Sequence, residues 1–176
     1  MSTVARISVT PVRTFRLDHL DEVELTERGV AENRRFMLVD ADGKRLRSSL
    51  TVWPAPVAAE WDRQAERLRV EIAGDVVEGS SLGSDRPLPV RVVEGPLAEL
   101  LSRRVRLGGA VVRIGGGVGR CAVTTRDPDT SVRDLDTLRL LRAYREPLAD
   151  GEIPFGVYAA VEEPGIVRVG DEVEPL

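Results

Sequence analysis

The sequence predicts a mainly β protein, an antiparallel β-barrel or barrels with a few short helices. Three observations support this class. In the first half, apolar and polar residues alternate over short runs, the pattern of half-buried strands. Turn residues separate these runs at regular intervals, as in barrels and sandwiches, where closing the sheet removes its exposed edges. Helical periodicity is restricted to two short stretches of the second half.

The strand candidates of the first half follow one another closely. Ala5, Ile7 and Val9 alternate with polar residues, and Pro11 ends this run. An Asp-Gly turn at 40–43 predicts a hairpin. The other strand candidates are residues 22–25, 35–39, 57–61, 68–72 and 90–93.

The second half carries the two helix candidates and two hairpins. Pro96 opens the first helix, and Asp134 is the predicted cap of a second whose apolar face includes Leu135, Leu138, Leu141 and Tyr144. Residues 104–114 form a hairpin around two glycines, and residues 166–173 form another. The glycines at 115–119 predict tight turning, because their spacing fits neither common phosphate-binding motif.

The 176 residues suffice for one domain with a real core or for two very small ones. The stretch 79–84 is the most linker-like in composition, and it predicts a flexible connection. On that basis the chain is divided into an N-terminal region, 1–83, and a C-terminal region, 84–176.

Composition restricts the function. The 25 basic and 29 acidic residues alternate and give a net charge of -4, which argues against a nucleic-acid-binding surface. One cysteine excludes an intramolecular disulfide and a multi-thiolate zinc site. No apolar run reaches membrane-spanning length and no signal pattern opens the chain, so we expect a cytoplasmic protein.

Cys121, the single cysteine, has two interpretations. Arginines flank it at 120 and 126, and cationic neighbours favour the thiolate, which is both the nucleophilic and the metal-binding form. The alternative is a small apolar residue in a barrel wall, the behaviour of most free cysteines. The spacing of the residues alone favours this second interpretation, in which Cys121 is part of the barrel wall.

Two N-terminal segments offer anion-binding side chains. Arg13 and Thr14 follow the first strand, and Arg34 follows Asn33 at a second turn. An arginine and a hydroxyl at a loop can hold a phosphate or a pterin edge. The alternative for each arginine is a solvated side chain on a barrel face. No residues near His19 in the sequence suggest a functional partner for it, so we expect a histidine on the surface or in a loop.

Three segments resemble a known family: residues 10–14, residues 29–40 and the stretch from Arg120-Cys121 through 127–130 to the C-terminal strands. The chain is similar to MOSC-domain proteins that carry an N-terminal MOSC β-barrel, a group related to the C-terminal region of molybdenum cofactor sulfurase. The resemblance implies a MOSC-type barrel region at 1–83 and a shortened MOSC domain at 84–176. The third segment is the longest match, and it favours a functional role for Cys121.

The resemblance also implies a molybdenum cofactor (molybdopterin). In this interpretation Cys121 is the catalytic residue and the molybdenum ligand, a role suited to a soft thiolate. Arg13, Thr14, Arg34 and Arg120 then bind the cofactor. Similar members reduce N-hydroxylated compounds, and they take electrons from a separate reductase or a ferredoxin. Neither a membrane nor a nucleic acid is an expected partner.

Departures from the family leave alternatives open. Arg13, Thr14 and Asn33 replace the family's lysine, serine and aspartate, and a middle stretch after residue 102 is absent. The chain could therefore be a non-catalytic binding or structural barrel, or a sulfur carrier through a Cys121 persulfide. An exposed barrel opening would predict a homodimer. Pyridoxal phosphate is disfavoured, because Lys44, the only lysine, lies beside an exposed turn.

Overall fold

Strands form 52% of the described residues, as the mainly β class predicts. The computed structural model describes residues 1–13, 15–38, 57–72, 75–79, 90–92, 102–127 and 132–176. The predicted turn at 40–43, the helix opened by Pro96 and the linker beyond Gly79 lie outside these ranges. In the described part of the chain, no helix is long and apolar enough to cross a bilayer.

The described chain contains fourteen strands, a 3₁₀ helix at Ala122–Thr125 and one short α-helix, α1, at Thr137–Arg142. The strands are β1 (Ser2–Thr3), β2 (Ile7–Val9), β3 (Asp18–Leu20), β4 (Glu22–Thr26), β5 (Gly29–Val30), β6 (Ala58–Asp62), β7 (Arg67–Ile72), β8 (Asp75–Gly79), β9 (Val90–Val92), β10 (Arg104–Leu107), β11 (Ala110–Arg120), β12 (Ile153–Glu163), β13 (Gly165–Arg168) and β14 (Glu172–Pro175).

The largest sheet is a curled antiparallel half-barrel with the strand order β1-β14-β10-β11-β12-β9. Its centre is the long pair β11 and β12, which runs from Val111 opposite Glu163 to Arg120 opposite Ile153. The predicted hairpin around Gly108 and Gly109 is confirmed as β10–β11. This sheet therefore carries Cys121 at the end of its central strand.

Three smaller antiparallel sheets accompany the half-barrel: β13-β4-β5, β2-β3 and β6-β7-β8. The predicted pairing of residues 57–61 with 68–72 is confirmed by β6 and β7. Residues 35–39 are predicted as a strand, but in the described part, 35–38, Phe36 makes only an isolated parallel bridge to Val12.

The main core contains side chains from both ends of the chain. Ile7 and Leu25 pack with Val105, Val112 and Ile114 of the half-barrel. A second, smaller core consists of Val12, Phe15, Phe36 and Ala59. Strands from residues 1–83 also pair with C-terminal strands, β1 with β14 and β4 with β13. The division of the chain near residue 83 stays a prediction.

The prediction that residues 166–173 form a C-terminal hairpin is wrong. β13 pairs with β4, with Val167 opposite Val23, whereas β14 pairs with β1 and β10. Gly170 adopts φ 93° in the connection, a left-handed conformation that suits glycine. The two strands therefore leave the turn for different sheets.

Two further expectations need correction. The glycines at 115–119 form no tight turn; they lie within β11, where register shifts flank Gly117. The helix cap is Asp136, two residues later than predicted, and its carboxylate accepts the backbone N–H of Arg139. Leu141 is buried, whereas Leu135 and Tyr144 are exposed, so the predicted shared apolar face reduces to the side of α1 that carries Leu141.

Candidate cofactor site

Cys121 lies at the junction between the central strand and the 3₁₀ helix. β11 ends at Arg120, and Cys121 takes the cap position of the helix Ala122–Thr125 in an extended conformation. The thiol is exposed. The interpretation of Cys121 as a buried apolar residue in the barrel wall is therefore wrong, and the sulfur is accessible to a ligand.

Hydrogen bonds fix the backbone after the thiol. The carbonyl oxygen of Cys121 accepts both the backbone N–H of Thr124, at 3.1 Å, and its hydroxyl, at 2.9 Å. The hydroxyl of Thr125 donates to the carbonyl of Ala122 at 2.6 Å. Thr137, the first residue of α1, donates its hydroxyl to the carbonyl of Thr124 at 2.6 Å. The helix α1 is thereby attached to the turn that presents Cys121.

Arg120 is held against the neighbouring strand. Its Nε donates to the carbonyl oxygen of Phe155 at 2.8 Å, and its guanidinium carbon lies 5.7 Å from the centre of the Phe155 ring. The side chain is partly buried. The Arg120 guanidinium is therefore fixed one residue from the thiol. Because it is already held in place, it provides positive charge there without being ordered when a ligand binds.

The glycines before Cys121 allow the loop before β12 to approach β11 closely. A Cβ on Gly119 would lie 2.7 Å from the Cβ of Glu152, and one on Gly117 would lie 3.2 Å from the Cβ of Pro154. Contacts below 3.0 Å are essentially not formed by real side chains. Glycine at 119 is therefore required by packing beside the thiol.

Arg13 and Arg34 belong to two segments that run side by side. The N–H of Arg13 donates to the carbonyl of Phe36 at 2.9 Å, and the N–H of Arg34 donates to the carbonyl of Thr10 at 2.6 Å. The side chain of Asn33 accepts the N–H of Thr10 at 3.1 Å. The structure therefore brings the two predicted cofactor arginines onto adjoining turns. Thr14 lies outside the described residues.

The turn that carries Arg34 is conformationally unusual. Arg34 has φ 55° and Glu32 has φ 59°, the left-handed region that residues other than glycine rarely adopt. Such conformations cost free energy, and they concentrate at sites that position functional groups. Here the strain accompanies one of the predicted site residues.

Three buried side-chain donors find no acceptor among the described residues: Arg35 Nε, Trp61 Nε1 and Arg145 Nε. Arg35 directly follows Arg34, and its guanidinium carbon lies 5.1 Å from the centre of the Trp61 ring. Arg145 closely follows α1, which packs against the 3₁₀ helix after Cys121. Buried donors are normally paired, so these three are exceptions among the described residues.

The comparison with known families bears on the same segment. The family model described as MOSC domain matches residues 92–174, just under half of the chain. Residues 92–174 are therefore similar to MOSC domains. The match includes Cys121, the 3₁₀ helix and α1. The recognition of this family from the sequence is confirmed, whereas the N-terminal barrel assignment and the absent middle stretch stay predictions.

Two curated proteins are similar to part of the chain. Mitochondrial amidoxime-reducing component 1 of Mus musculus is 46% identical over 61 residues, which is 31% of this chain and 18% of that protein. The Xenopus laevis protein of the same name is 39% identical over 77 residues, which is 39% of this chain and 22% of that protein. The matched stretches therefore span less than a quarter of these relatives.

The sequence did not identify the residues that fix the turn at Cys121. Thr124 and Thr137 carry the hydrogen bonds behind Cys121, and Arg145 supplies an orphaned donor. A threonine three residues after Cys121 is a signal for a hydroxyl-to-backbone turn, and it could have indicated Thr124. No local signal connects Thr137 with Thr124, since 13 residues separate them.

Proposed function

We propose that this MOSC-domain protein binds a molybdenum cofactor, with the Cys121 sulfur as its ligand to the metal. The observation that carries the proposal is the exposed thiol of Cys121 at the end of the central strand, in a residue whose backbone carbonyl accepts a hydrogen bond from the Thr124 hydroxyl. An accessible thiolate is a soft ligand that suits such a metal centre.

The donor set fits this group. No cluster of three or more His, Cys, Asp or Glu side chains occurs in the described residues, so these provide no multi-ligand metal site of their own. A single protein thiolate is appropriate where an organic cofactor supplies further ligands to the metal. The orphaned donors of Arg35, Trp61 and Arg145 are suited to the oxygen and nitrogen acceptors of a pterin and its phosphate.

The cofactor-binding roles follow from charge and position. Arg13 and Arg34 hold the pterin and its phosphate from the adjoining N-terminal turns, Thr14 shares this role on the basis of the sequence alone, and Arg120 contributes fixed positive charge beside Cys121. Guanidinium groups bind phosphate through paired donors, and that pairing fixes orientation as well as charge. Convergence of these arginines on the thiol is part of the proposal.

The proposed activity is the reduction of N-hydroxylated compounds. The names of the two curated relatives describe them as amidoxime-reducing, and this supports the substrate class. When bound, the molybdenum cofactor supplies two-electron redox chemistry. The chain's own residues bind the cofactor and fix its orientation, and a separate electron-donor protein supplies the electrons.

The experiment is metal analysis of protein produced in a host that makes the cofactor. We expect close to one molybdenum per wild-type chain and almost none in Cys121→Ser. Ala160→Ser is the control, because Ala160 is exposed on β12 opposite Arg113, seven residues along β11 from Arg120. Wild-type protein without molybdenum, or equal content in wild type and Cys121→Ser, would refute the proposal.

The exposed thiol also favours a second candidate, a sulfur carrier. A carrier cysteine must be accessible and free of a disulfide, and Cys121 is both. Intact mass after incubation with a cysteine desulfurase and cysteine tests this role. A carrier gains one sulfur atom on Cys121, whereas a structural or cofactor-ligand cysteine leaves the mass unchanged.

A further inference from the structure

The solvent side of α1 has a basic edge and an apolar edge. Leu141 is buried against the sheet. Because an α-helix turns by about 100° per residue, Arg139 and Arg142 lie together on one flank of the exposed side. Leu140 is 52% exposed, and Tyr144, one turn later, is 62% exposed on the other flank. These four side chains, Arg139, Leu140, Arg142 and Tyr144, are called the α1 face.

The charge of the α1 face opposes that of the whole chain. Residues 137–145 contain three arginines and no acidic residue, whereas the net charge of the protein is -4. Neither Arg139 nor Arg142 forms an ion pair with a described residue. The nearest preceding carboxylate, Asp136, is occupied by the backbone N–H of Arg139.

Two further arginines lie between the 3₁₀ helix and α1, together with Asp127, Asp134 and Asp136. Arg126 and Arg133 stand opposite each other in an isolated antiparallel bridge, and Arg133 is exposed. The stretch without an acidic residue is therefore that of α1, which carries Arg139 and Arg142.

The α1 face is mechanically connected to the thiol. The hydroxyl of Thr137 at the start of α1 donates to the carbonyl of Thr124, which itself bonds Cys121. A protein bound to this face would therefore lie next to the turn that presents Cys121.

We infer that the α1 face is the docking surface for an acidic protein, in which Leu140 and Tyr144 form the apolar centre and Arg139 and Arg142 a basic rim. This inference rests on the proposed function, which requires an electron-donor protein near Cys121. Rim charges of this kind accelerate encounter and select the partner, while the apolar centre limits dissociation. Binding is therefore expected to be transient and sensitive to salt.

The test measures binding of an acidic plant-type ferredoxin, with basic cytochrome c as the opposite-charge probe. Wild-type protein, with or without molybdenum, is titrated by calorimetry at low and at physiological salt. We expect measurable ferredoxin binding that weakens with salt, and no binding of cytochrome c. Arg139→Glu combined with Arg142→Glu should weaken ferredoxin binding about tenfold. Leu140→Ser should weaken it at both salt concentrations.

The matched control reverses two exposed arginines on β7, Arg67→Glu with Arg69→Glu, and should leave the affinity nearly unchanged. Equal loss in both double variants would overturn the inference, as would binding that neither double variant alters, or absence of ferredoxin binding. Binding to vesicles rich in phosphatidylserine without ferredoxin binding would overturn it in favour of a membrane surface. Metal-free protein serves in this test, so its outcome is separate from the molybdenum measurement.

Discussion

Thr124 holds the backbone of Cys121 through two hydrogen bonds to one atom. The Cys121 carbonyl oxygen accepts the N–H of Thr124 at 3.1 Å and its hydroxyl at 2.9 Å. These bonds leave the thiol itself uninvolved and exposed. The turn therefore restrains the position of the sulfur without using the sulfur's own bonding capacity.

Thr124→Val removes the hydroxyl bond but keeps the size and the β-branch of the side chain. We expect a loss of about 0.5–1.5 kcal/mol in the free energy of unfolding, the typical net value of one hydrogen bond. Molybdenum content should fall further than this loss of stability explains, because the thiolate ligand becomes less restrained. Thr124→Ser should retain both properties. Urea denaturation and metal analysis of the folded fraction measure the two effects.

Arg34→Asn separates cofactor binding from folding. Asparagine tolerates the left-handed conformation that Arg34 adopts at φ 55°, so the unfolding midpoint should change little. The lost guanidinium should lower the molybdenum content several-fold. Glu32→Asn is the control, because Glu32 has φ 59° in the same turn and, among the described residues, its side chain forms ion pairs with Arg35 and Arg63. Equal molybdenum in both variants would contradict a role for Arg34.

Gly165→Ala should destabilise the fold. A Cβ at this position would collide with the carbonyl oxygen of Gly109 and would lie 2.9 Å from the backbone nitrogen of Ala110. Backbone atoms cannot move aside cheaply, so we expect a loss of about 1–3 kcal/mol. Gly116→Ala, with no atom within 4 Å of its added Cβ, should be neutral or slightly stabilising. Similar unfolding midpoints for the two variants would show that this close approach does not exist.

Glu162 should make stability depend on acid pH. Hydrogen bonds from Arg104 at 2.7 Å, and then from Arg113 at 2.6 Å, lower the pKa of Glu162 below its usual value of 4.5. The lowered pKa in the folded state means that the stabilisation is present above pH 4.5 and is lost as the pH falls through the folded pKa.

The matched comparison is Glu162→Gln against Glu172→Gln, an exposed carboxylate on β14. Melting temperatures are measured from pH 7 to pH 3 at low salt. The melting temperature of Glu162→Gln should lie below that of wild type by a constant amount near neutral pH. This difference should become smaller in acid. A difference in melting temperature that does not depend on pH would show that the ion pairs of Glu162 contribute nothing to stability. The melting temperature of Glu172→Gln should follow that of wild type at every pH.

Local patterns predicted those elements whose partners lie close in sequence. The β10–β11 hairpin follows from two strands around Gly108 and Gly109, and β6–β7 follows from alternation across one turn. The pairing of β13 with β4 could not be predicted in this way, because Val167 and Val23 are 144 positions apart. A Gly-Asp turn has the same composition whether the strands pair or diverge.

The candidate site shows the same division. Cys121, Arg13 and Arg34 could be selected from the sequence, because residue type and the resemblance mark them. The neighbouring bond between the Arg34 N–H and the Thr10 carbonyl depends on two segments meeting in space. The glycines before Cys121 do not form the tight turn that their spacing predicts, because the requirement for glycine at 119 comes from Glu152, which packs against it only in the folded sheet.

The central claim is the bond between the Cys121 sulfur and molybdenum. X-ray absorption at the molybdenum edge, on wild type and on Cys121→Ser reconstituted with excess cofactor, counts the sulfur ligands directly. The account predicts one sulfur fewer around molybdenum in Cys121→Ser, replaced by an oxygen or left vacant. An identical sulfur count in the two proteins would contradict it.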